Sequence, residues 1–430
     1  MHLGYPKASA GEIPLLHWHV VQKSVFSAAA RRRRLPTQIQ ISERRRLVVM
    51  LAMALGAFGI GTTEFVSMGL LHMIAQDFQI TEDVAGAIIT SYALGVVVGA
   101  PLITALTGPV PRRRLLLLLM AAFTIGNGLS MFATNYETLL VARFIAGLPH
   151  GAYFSVAGLA AASMAPIAQR GRAVAFITMG LSVATVIGVP AAQALGAALG
   201  WPAAYGLVAS IGLVTAMLLW FLMPHMTKMR PTNPRTELGA LKRWQVWLTL
   251  AMGTVGFGGM FAVYTYISWT MTDRAGLDAS WLWLVLMVYG VGSVAGTWFG
   301  GRLSDRNLEF GIVLSLGMIA MVLAAFYFTS THPVFGVVNF GLIGFFGSSL
   351  VPSLQVRLMD VAGDAQTLAA ALNHSALNLA NAAGAAIGGA VIAAGFNYSA
   401  PALAGTVLAL AAILIWVPTT VLRRRQLAGS

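Results

Sequence analysis

Two charged residues lie well inside long apolar stretches of this sequence, Glu64 in the first stretch and Arg143 in the fourth. A charge in the core of a membrane costs several kcal/mol, so it persists mainly where it faces water, a partner or a ligand. With a helical rise of about 1.5 Å per residue, Glu64 lies about 26 Å and Arg143 about 22 Å from the same membrane face. A nearby guanidinium favours an ionised carboxylate, and loss of water favours the neutral form. We therefore expect Glu64 to bind a proton and Arg143 to tune its affinity.

Two other arrangements of Glu64 and Arg143 remain open from the sequence. The side chains could form a static buried ion pair that holds their helices together, or they could lie on separate faces without contact. Only the proton-binding role makes the carboxylate indispensable for an activity driven by a pH gradient. The substitution Glu64→Gln therefore separates this role from the other two.

Three neutral polar residues in the eleventh apolar stretch share one helical face. His374 and Asn378 are spaced i, i+4, and Asn378 and Asn381 are spaced i, i+3, which places their side chains on the same side of a helix. With Asn373 beside that face, they could offer hydrogen-bond donors and acceptors to a bound molecule. Polar side chains also join helices to one another inside membranes, and the sequence favours neither role.

Two further side chains are candidates for contact with a ligand. His150, in the middle of the fourth stretch, can titrate near neutral pH, although a single histidine more often serves as a hydrogen-bonded packing residue. Tyr264 belongs to an aromatic group in the seventh stretch that either lines an amphipathic cavity or packs against neighbouring helices and lipid. Tyr264 and Tyr266 are two residues apart, so we expect only one of them to face a ligand.

The composition indicates which solvent surrounds these side chains. Hydrophobic residues make up 57% of the 430 residues and charged residues only 10%, whereas soluble domains carry about 25% charged residues. Because so few charges cannot cover a large water-facing surface, the chain is expected to lie in a lipid bilayer. The absence of cysteine excludes disulfides, thiolate metal sites and a cysteine nucleophile.

Twelve apolar stretches are long enough to cross a membrane as helices, since one span needs roughly 20 residues. Most of their connections are short, and none is long enough to form a second folded domain outside the membrane. The predicted spans are residues 47–71, 84–107, 115–134, 138–162, 173–197, 203–223, 245–270, 281–301, 311–330, 334–354, 366–392 and 401–421.

The basic residues indicate the orientation of the predicted spans. Nearly all of the 27 lysines and arginines fall on one side of a twelve-span arrangement, and cytoplasmic loops are enriched in these residues. Arg143, inside a span, and Arg274, on the opposite side, are the exceptions. Both termini are therefore expected in the cytoplasm. The formal charge of +13 is interpreted as a topology signal and not as a sign of nucleic-acid binding.

This arrangement divides the chain into five parts. We expect residues 1–46 to form a basic, disordered cytoplasmic arm and residues 422–430 to form a cytoplasmic tail. Residues 224–244 carry three prolines and five basic residues. They are expected to link two six-helix halves, residues 47–223 and 245–421, on the cytoplasmic side.

The two predicted halves share a short sequence repeat. The motif Tyr-x-x-Gly-x-x-x-Gly begins at Tyr92 in the second span and again at Tyr289 in the eighth. Both copies lead into a short loop that contains arginines. Parallel repeats occur in one large class of membrane transporters, so this repeat predicts two six-helix halves in parallel orientation.

Several longer segments carry a family resemblance. They are GTTEFVSMGLL at 61–71, SYALGVVVGAPLITALTGPVPRRR at 91–114, RFIAGLPHGAYFSV at 143–156, GLSVATVIGVP at 180–190 and ALNHSALNLANAAGAAIGG at 371–389. These segments resemble the major facilitator superfamily, in its drug–proton antiporter branch that includes arabinose-efflux-like permeases. The resemblance covers about residues 47–421. It implies an all-α membrane fold of twelve helices in two parallel six-helix halves, with helices 1 and 4 lining a central cavity.

The resemblance also assigns roles by position to three residues of the fifth span. Gly180, Gly188 and Pro190 match a fifth-helix motif associated with antiporters. The match implies close packing and a bend that seals or rocks the bundle, whereas ordinary packing of small residues is the alternative. The prediction of export depends on this motif.

The loops after the second and eighth spans resemble the gating loop of the same family. The matching residues are Arg112 and Arg113 in the first loop, and Arg302, Asp305 and Arg306 in the second. The first loop lacks the usual acid, since Gly108 stands where the second loop has Asp305. We therefore expect the second loop to make the main gating contacts, unless both loops are basic only to set the topology.

Absent motifs narrow the function. The chain has no P-loop, zinc-protease or nucleophile-elbow motif, so the sequence predicts no enzyme and no cofactor or metal. We predict a proton-coupled antiporter that exports a small organic molecule, such as a drug, a sugar or a related metabolite, from the cell. It is expected to act as a monomer in the inner (plasma) membrane, with this substrate, protons and lipid as its partners. An uncoupled facilitator and a membrane sensor or enzyme that transports nothing remain alternatives.

Overall fold

Nearly every described residue of this chain is helical. The computed structural model describes residues 42–166, 170–225, 238–362 and 365–428, and none of these residues lies in a β-strand. Twelve helices of this part are long and apolar enough to span a membrane, which confirms the predicted number. Named α1 to α12 in chain order, they are Glu43–Phe78, Glu82–Thr104, Arg112–Met131, Tyr136–Met164, Ala173–Leu199, Trp201–Leu222, Trp244–Thr265, Ala279–Ser304, Leu308–Thr329, Pro333–Ala362, Ala371–Ala393 and Ala400–Val421.

The predicted arm and linker lie largely outside the described residues, which omit residues 1–41 and 226–237. The end of the predicted arm is nevertheless helical, because α1 begins at Glu43 rather than after residue 46. The Ser42 side chain accepts a hydrogen bond from the Arg45 amide (3.3 Å), and such a cap satisfies an otherwise unpaired donor of the first turn.

The other end of α1 also extends beyond its apolar sequence. The helix continues past the predicted end at residue 71 to Phe78 because its polar side chains find partners. His72 and Gln76 share a hydrogen bond (2.8 Å), and Asp77 accepts one from the Trp201 indole (2.8 Å). Hydropathy alone therefore underestimates the length of this helix.

Both α4 and α5 change their geometry partway along their length. α4 consists of two segments, Tyr136–Gly147 and His150–Met164, and Pro149 lies between them. Proline lacks an amide hydrogen and clashes with the preceding turn, which explains the break. α5 contains a π-helical turn, Ala184–Gly188, of the kind that is frequent at functional sites.

The sequence repeat marks the closest helix contacts within each half. A Cβ atom on Gly95 would lie 2.2 Å from the Phe144 carbonyl oxygen of α4, and one on Gly292 would lie 2.1 Å from the Gly341 carbonyl oxygen of α10. Only a residue without Cβ permits this approach of two backbones. The halves therefore repeat the same packing, α2 on α4 and α8 on α10, as the repeat predicts.

The two halves touch mainly along three pairs of helices. α11 of the second half lies against α2 and α4 of the first, and α8 lies against α5. The α5–α8 contact is closest at the π-helical turn, where a Cβ atom on Gly290 would lie 2.1 Å from the Thr185 carbonyl oxygen. The irregular turn of α5 thus belongs to the contact surface between the halves.

The halves also meet at the end of the bundle remote from the chain termini, which we call the far end. There Tyr398, in the connection before α12, donates a hydrogen bond to Glu82 at the start of α2 (3.1 Å). His72 of α1 lies edge-on to the Trp269 ring, beyond α7, with ring centroids 5.4 Å apart. These contacts join the halves at the far end.

One predicted loop residue is instead buried in a helix. α10 extends past its predicted end at residue 354 to Ala362, and Arg357 within it has no exposed surface. Arg357 pairs with Glu309 in the first turn of α9, whose carboxylate also accepts hydrogen bonds from Trp416 (2.8 Å) and Thr420 (3.0 Å). The helices therefore carry a second buried charge cluster besides Glu64 and Arg143, near their ends. Glu309 and Arg357 were not expected in helices because they fall just beyond the predicted apolar stretches.

Candidate functional site

Glu64 lies in α1 where the two halves meet, and its side chain is buried. The Nε2 atom of His150 is 3.9 Å from a carboxylate oxygen of Glu64. Asn378 of α11 interacts with the same carboxylate. Side chains from both halves therefore converge on this single acid.

His150 connects the carboxylate to a second histidine. It begins the second segment of α4, and its Nδ1 atom is hydrogen-bonded to the Tyr92 hydroxyl of α2 (3.0 Å). The His150 ring lies 5.5 Å from the ring of His374, which belongs to α11 of the other half. His374 in turn stacks on Phe154 with centroids 4.6 Å apart. Two of the predicted site residues, one from each half, are thus in direct contact.

Arg143 lies at the level of Glu64, as its predicted depth requires. Its guanidinium, however, binds Thr63, the residue that precedes Glu64 in α1. It donates hydrogen bonds to the Thr63 hydroxyl (2.8 Å) and to the Thr63 carbonyl oxygen (3.0 Å). The guanidinium also lies over the rings of Tyr92 (4.5 Å) and Tyr205 (5.0 Å).

Among the described residues, Glu64 and Arg143 do not form a direct ion pair. The basic side chain next to the Glu64 carboxylate is His150. The two charges still interact electrostatically through space. Of the arrangements left open by the sequence, the static pair is therefore not the one adopted. Arg143 instead fixes the backbone next to the acid.

Aromatic side chains surround the acid on the side of the second half. Tyr264 of α7 is buried and packs against Phe65 (5.7 Å between centroids) and Tyr289 (4.5 Å), and Phe65 stacks on Phe261 (6.5 Å). Tyr266 points elsewhere and donates a hydrogen bond to a carbonyl oxygen of α11 (2.9 Å). The expectation that the two tyrosines face different directions is confirmed.

The amide side chains of α11 carry unpaired hydrogen-bonding atoms. Asn378 is buried and donates one hydrogen bond to the His374 carbonyl oxygen (3.1 Å), whereas its Oδ1 atom has no hydrogen-bond partner in the described structure. Asn381, which has no exposed surface, has no partner for either side-chain atom in that part of the chain. Asn373 is also buried.

The predicted gating residues make contacts within one half only, as far as the described contacts extend. Arg112 is buried at the start of α3, and Arg113 interacts with His225 (2.6 Å) and lies over the Trp220 ring. Arg302 lies 3.3 Å from the centroid of the Trp298 ring. Arg306 is exposed, and the side chain of Asp305 is outside the described part. Their role in gating stays a prediction.

The fifth-helix motif packs against α1. A Cβ atom on Gly180 would lie 2.2 Å from the Ala54 carbonyl oxygen, and one on Gly188 would lie 2.2 Å from the Thr62 hydroxyl. Pro190 is buried and lies two residues after the π-helical turn. The motif therefore brings α5 into close contact with α1. The contact nearest to Glu64 is that of Gly188 with Thr62, two residues before the acid.

Two residues of the site were not chosen from the sequence as ligand or proton contacts. Tyr92 bridges His150 and Arg143, and Tyr289 packs against Tyr264. Both begin the repeated Tyr-x-x-Gly motif, and the glycines that follow them make the close contacts of α2 and α8. The repeat was therefore a signal for the site as well as for the fold.

Known proteins resemble this chain along most of its length. A family model described as the Major Facilitator Superfamily matches residues 53–312 and 284–429. The Inner membrane transport protein YdhP of Escherichia coli (strain K12) is 39% identical over 369 residues, which cover 86% of this chain and 95% of that protein. A Chloramphenicol resistance protein of Streptomyces lividans is 31% identical over 370 residues, or 85% of this chain and 94% of that protein.

The fold has close counterparts among solved structures. The crystal structure of a D-xylose–proton symporter superposes with a TM-score of 0.70 at 17% identity, over 86% of this chain and 97% of that one. At this identity the likeness concerns the fold alone, and it agrees with the twelve helices and the two halves described above. The chain is a multi-pass membrane transporter and belongs to the major facilitator superfamily.

Proposed function

We propose that this transporter is a proton-coupled antiporter that exports a small organic molecule. The observation that carries the proposal is the position of Glu64, a buried acid that contacts side chains of both halves. A group placed there changes its surroundings whenever the halves move apart. The relative named as a resistance protein supports export as the direction.

The chemistry of exchange follows from this position. Water that enters between the parted halves favours the ionised carboxylate, and closure around it favours the neutral acid. Arg143, held by Thr63, keeps a fixed positive charge near the acid. Substrate and proton then compete for one site, and alternating movement of the halves carries each of them across the membrane in turn.

The orientation and assembly of the protein belong to the same proposal. We place the protein in the inner membrane of the cell with both termini in the cytoplasm. The basic residues concentrate on the side of the membrane that carries the termini, and cytoplasmic loops are enriched in such residues. The far end then faces outward. The protein works as a monomer of two six-helix halves joined by the cytoplasmic linker, since the site is formed within one chain.

Proton release from inside-out vesicles tests the coupling. Vesicles with an acid interior and a pH-sensitive dye receive chloramphenicol first and then other small drugs and sugars. We expect compound-triggered proton release with the natural protein and none with Glu64→Gln. The matched control is Glu137→Gln. It removes an exposed acid in the first turn of α4, at the far end of the bundle, and should behave like the natural protein.

Three outcomes would contradict the proposal in different ways. Proton release by Glu64→Gln at the natural rate would exclude this carboxylate as the coupling group. Compound flux without proton movement would indicate an uncoupled facilitator, and binding without flux would indicate a sensor. Each outcome is read from the same vesicles once compound uptake is measured in parallel.

A further inference from the structure

We infer that the proton bound by Glu64 reaches the cytoplasm through His150 and His374, which we call the histidine relay. The inference rests on the proposed exchange at Glu64 and adds the path by which the proton leaves the acid. Three observations carry it. They are the unpaired ring nitrogen of His150, the order of the three side chains along the bundle, and the contact of the two histidines across the halves.

His150 faces Glu64 with a ring nitrogen that has no hydrogen-bond partner in the described structure. The side chain is fully buried, and its unpaired Nε2 atom is 3.9 Å from a Glu64 carboxylate oxygen. An unpaired buried polar atom costs about 1–3 kcal/mol, and such atoms are few in native proteins. A small movement of either side chain would bring the two atoms within a hydrogen-bonding distance of about 2.7–3.2 Å. The nitrogen is therefore placed to accept a proton from the acid.

The Tyr92 hydroxyl determines which nitrogen of His150 is available. It is hydrogen-bonded to the Nδ1 atom (3.0 Å), and the bond at one ring nitrogen sets the protonation of the other. With the Nδ1 hydrogen donated to the Tyr92 oxygen, neutral His150 carries a lone pair at Nε2.

The proton transfer from Glu64 to this lone pair balances. The O–H bond of the protonated acid breaks, an N–H bond forms at Nε2 of His150, and the products are a carboxylate and an imidazolium. Together with Arg143, the charges sum to one positive charge before and after the step. The transfer therefore adds no net charge to the buried site, and release of the proton leaves Glu64 and Arg143 in balance.

The three side chains follow one another towards the cytoplasmic end of the bundle. In the proposed orientation α4 runs from the far end to the cytoplasm, and His150 lies seven residues beyond Arg143, which is level with Glu64. At about 1.5 Å per residue, His150 is about 10 Å closer to the cytoplasm than Arg143. α11 runs in the opposite direction, and His374 lies one turn before Asn378, which interacts with the acid. Both histidines therefore lie between the acid and the cytoplasm.

His374 connects His150 to the other half of the protein. Its ring lies 5.5 Å from the His150 ring and stacks on Phe154 with centroids 4.6 Å apart. Glu64 and His150 are buried, whereas His374 is partly exposed. An imidazole can exchange a proton with water near neutral pH. Because the two rings belong to different halves, movement of the halves changes their distance, and the histidine relay is complete only while they are in contact.

The charges around His150 suit a group that accepts a proton and passes it on. Its described contacts with titratable side chains are Glu64 of α1, Tyr92 of α2 and His374 of α11. Arg143 lies behind the Tyr92 ring (4.5 Å). An imidazolium at His150 is stabilised by the ionised acid beside it, whereas burial and the charge of Arg143 destabilise it.

The rate at which Glu64 loses its proton tests the histidine relay without requiring a substrate. The purified full-length protein receives a rapid rise in pH, and time-resolved infrared difference spectroscopy follows the carboxyl C=O band that Glu64→Gln abolishes. His150→Asn keeps an amide that can bind the Tyr92 hydroxyl and lacks the Nε2 atom. We expect the band to disappear about a hundredfold more slowly in this variant, since positioned proton-transfer groups contribute about 10²–10⁴-fold.

Two further variants separate the histidine relay from a structural role. His374→Gln changes a partly exposed side chain of the other half, should also slow the loss of the band, and keeps the test decisive if His150→Asn does not fold. His332→Gln removes an exposed histidine directly before α10 and should lose the band at the natural rate. The final extent of the loss should be the same in all three. A natural rate in His150→Asn or in His374→Gln would overturn the inference.

The inference and the proposed function fail in distinguishable ways. If no carboxyl band depended on Glu64, the acid would not bind a proton, and the proposed function would fall together with the histidine relay. If the band were present and disappeared at the natural rate without either histidine, the proposed function would stand and only the histidine relay would be rejected.

Discussion

At the scale of single residues, the site depends on how Arg143 is held. Its two hydrogen bonds to Thr63 fix the backbone beside Glu64, and the Thr63 hydroxyl passes the network on to Asn127 (2.6 Å). The rings of Tyr92 and Tyr205 cover the guanidinium. A planar fork with several donors suits this position better than a single ammonium group. We therefore consider Arg143 a positioning residue that also balances the charge of the acid.

Arg143→Lys should impair exchange although it keeps the positive charge. The lysine cannot donate to both oxygen atoms of Thr63 in the same geometry, and the loss of one hydrogen bond to a charged group costs about 1.5–3 kcal/mol. We expect compound-triggered proton release to slow by about tenfold to a hundredfold. The control is Arg274→Lys, since Arg274 lies over the Tyr327 ring (5.8 Å) away from the site. Equal rates for Arg143→Lys and the natural protein would show that charge alone suffices.

The sequence predicted the depth of these residues better than their direction. Helical rise placed Glu64 and Arg143 at one level, and the contact of Arg143 with Thr63 agrees. Depth says nothing about rotation around the helix axis, however. Arg143 and His150 are seven residues apart, and the break at Pro149 lies between them, so no spacing rule predicts which of them faces the acid. The partners on α11 depend on packing between halves, which is equally invisible in one sequence.

At the scale of helices, α5 meets both α1 and the opposite half. Its glycines approach α1, and its π-helical turn approaches α8. The π-helical turn shifts the residues after it relative to a regular helix. The family motif indicated that this helix is special, but composition could not reveal the irregular turn or its partner. Close contact at Gly290 is therefore a structural finding.

Gly290→Ala should disturb the contact between α8 and α5. The new Cβ atom would lie 2.1 Å from a backbone oxygen, which cannot move aside as a flexible side chain can. Overpacking costs about 1–3 kcal/mol, so we expect a lower unfolding temperature and slower exchange. Gly128→Ala is the control, because no atom lies within 4 Å of its added Cβ. If both variants unfolded like the natural protein, the helices would not be held at this distance.

At the scale of the whole molecule, the far end holds the two halves together. Tyr398 donates a hydrogen bond across the halves to Glu82 (3.1 Å). Partial burial, together with the nearby charge of Glu82, raises the pKa of Tyr398 from its ordinary value of 10.0 to about 12. The stabilising effect of this raised pKa is complete below pH 10 and is lost as the pH rises towards 12. The contact therefore keeps its donor across the physiological range, which is consistent with the proposed coupling at Glu64.

A disulfide across the far end should stop transport reversibly if the halves must separate there. The chain has no cysteine, so an introduced pair forms without competitors. A Cβ atom on Gly389 of α11 would lie 3.6 Å from the Asp83 Cβ atom of α2, within the range of about 3.5–4.5 Å that a disulfide needs. We expect the double variant Asp83→Cys, Gly389→Cys to lose exchange on oxidation and to regain it on reduction. The single variants control for the added side chains, above all for the approach of Gly389→Cys to the Tyr266 hydroxyl. Exchange at the natural rate with the disulfide formed would mean that the halves do not part at the far end, and alternating access would then require a different movement.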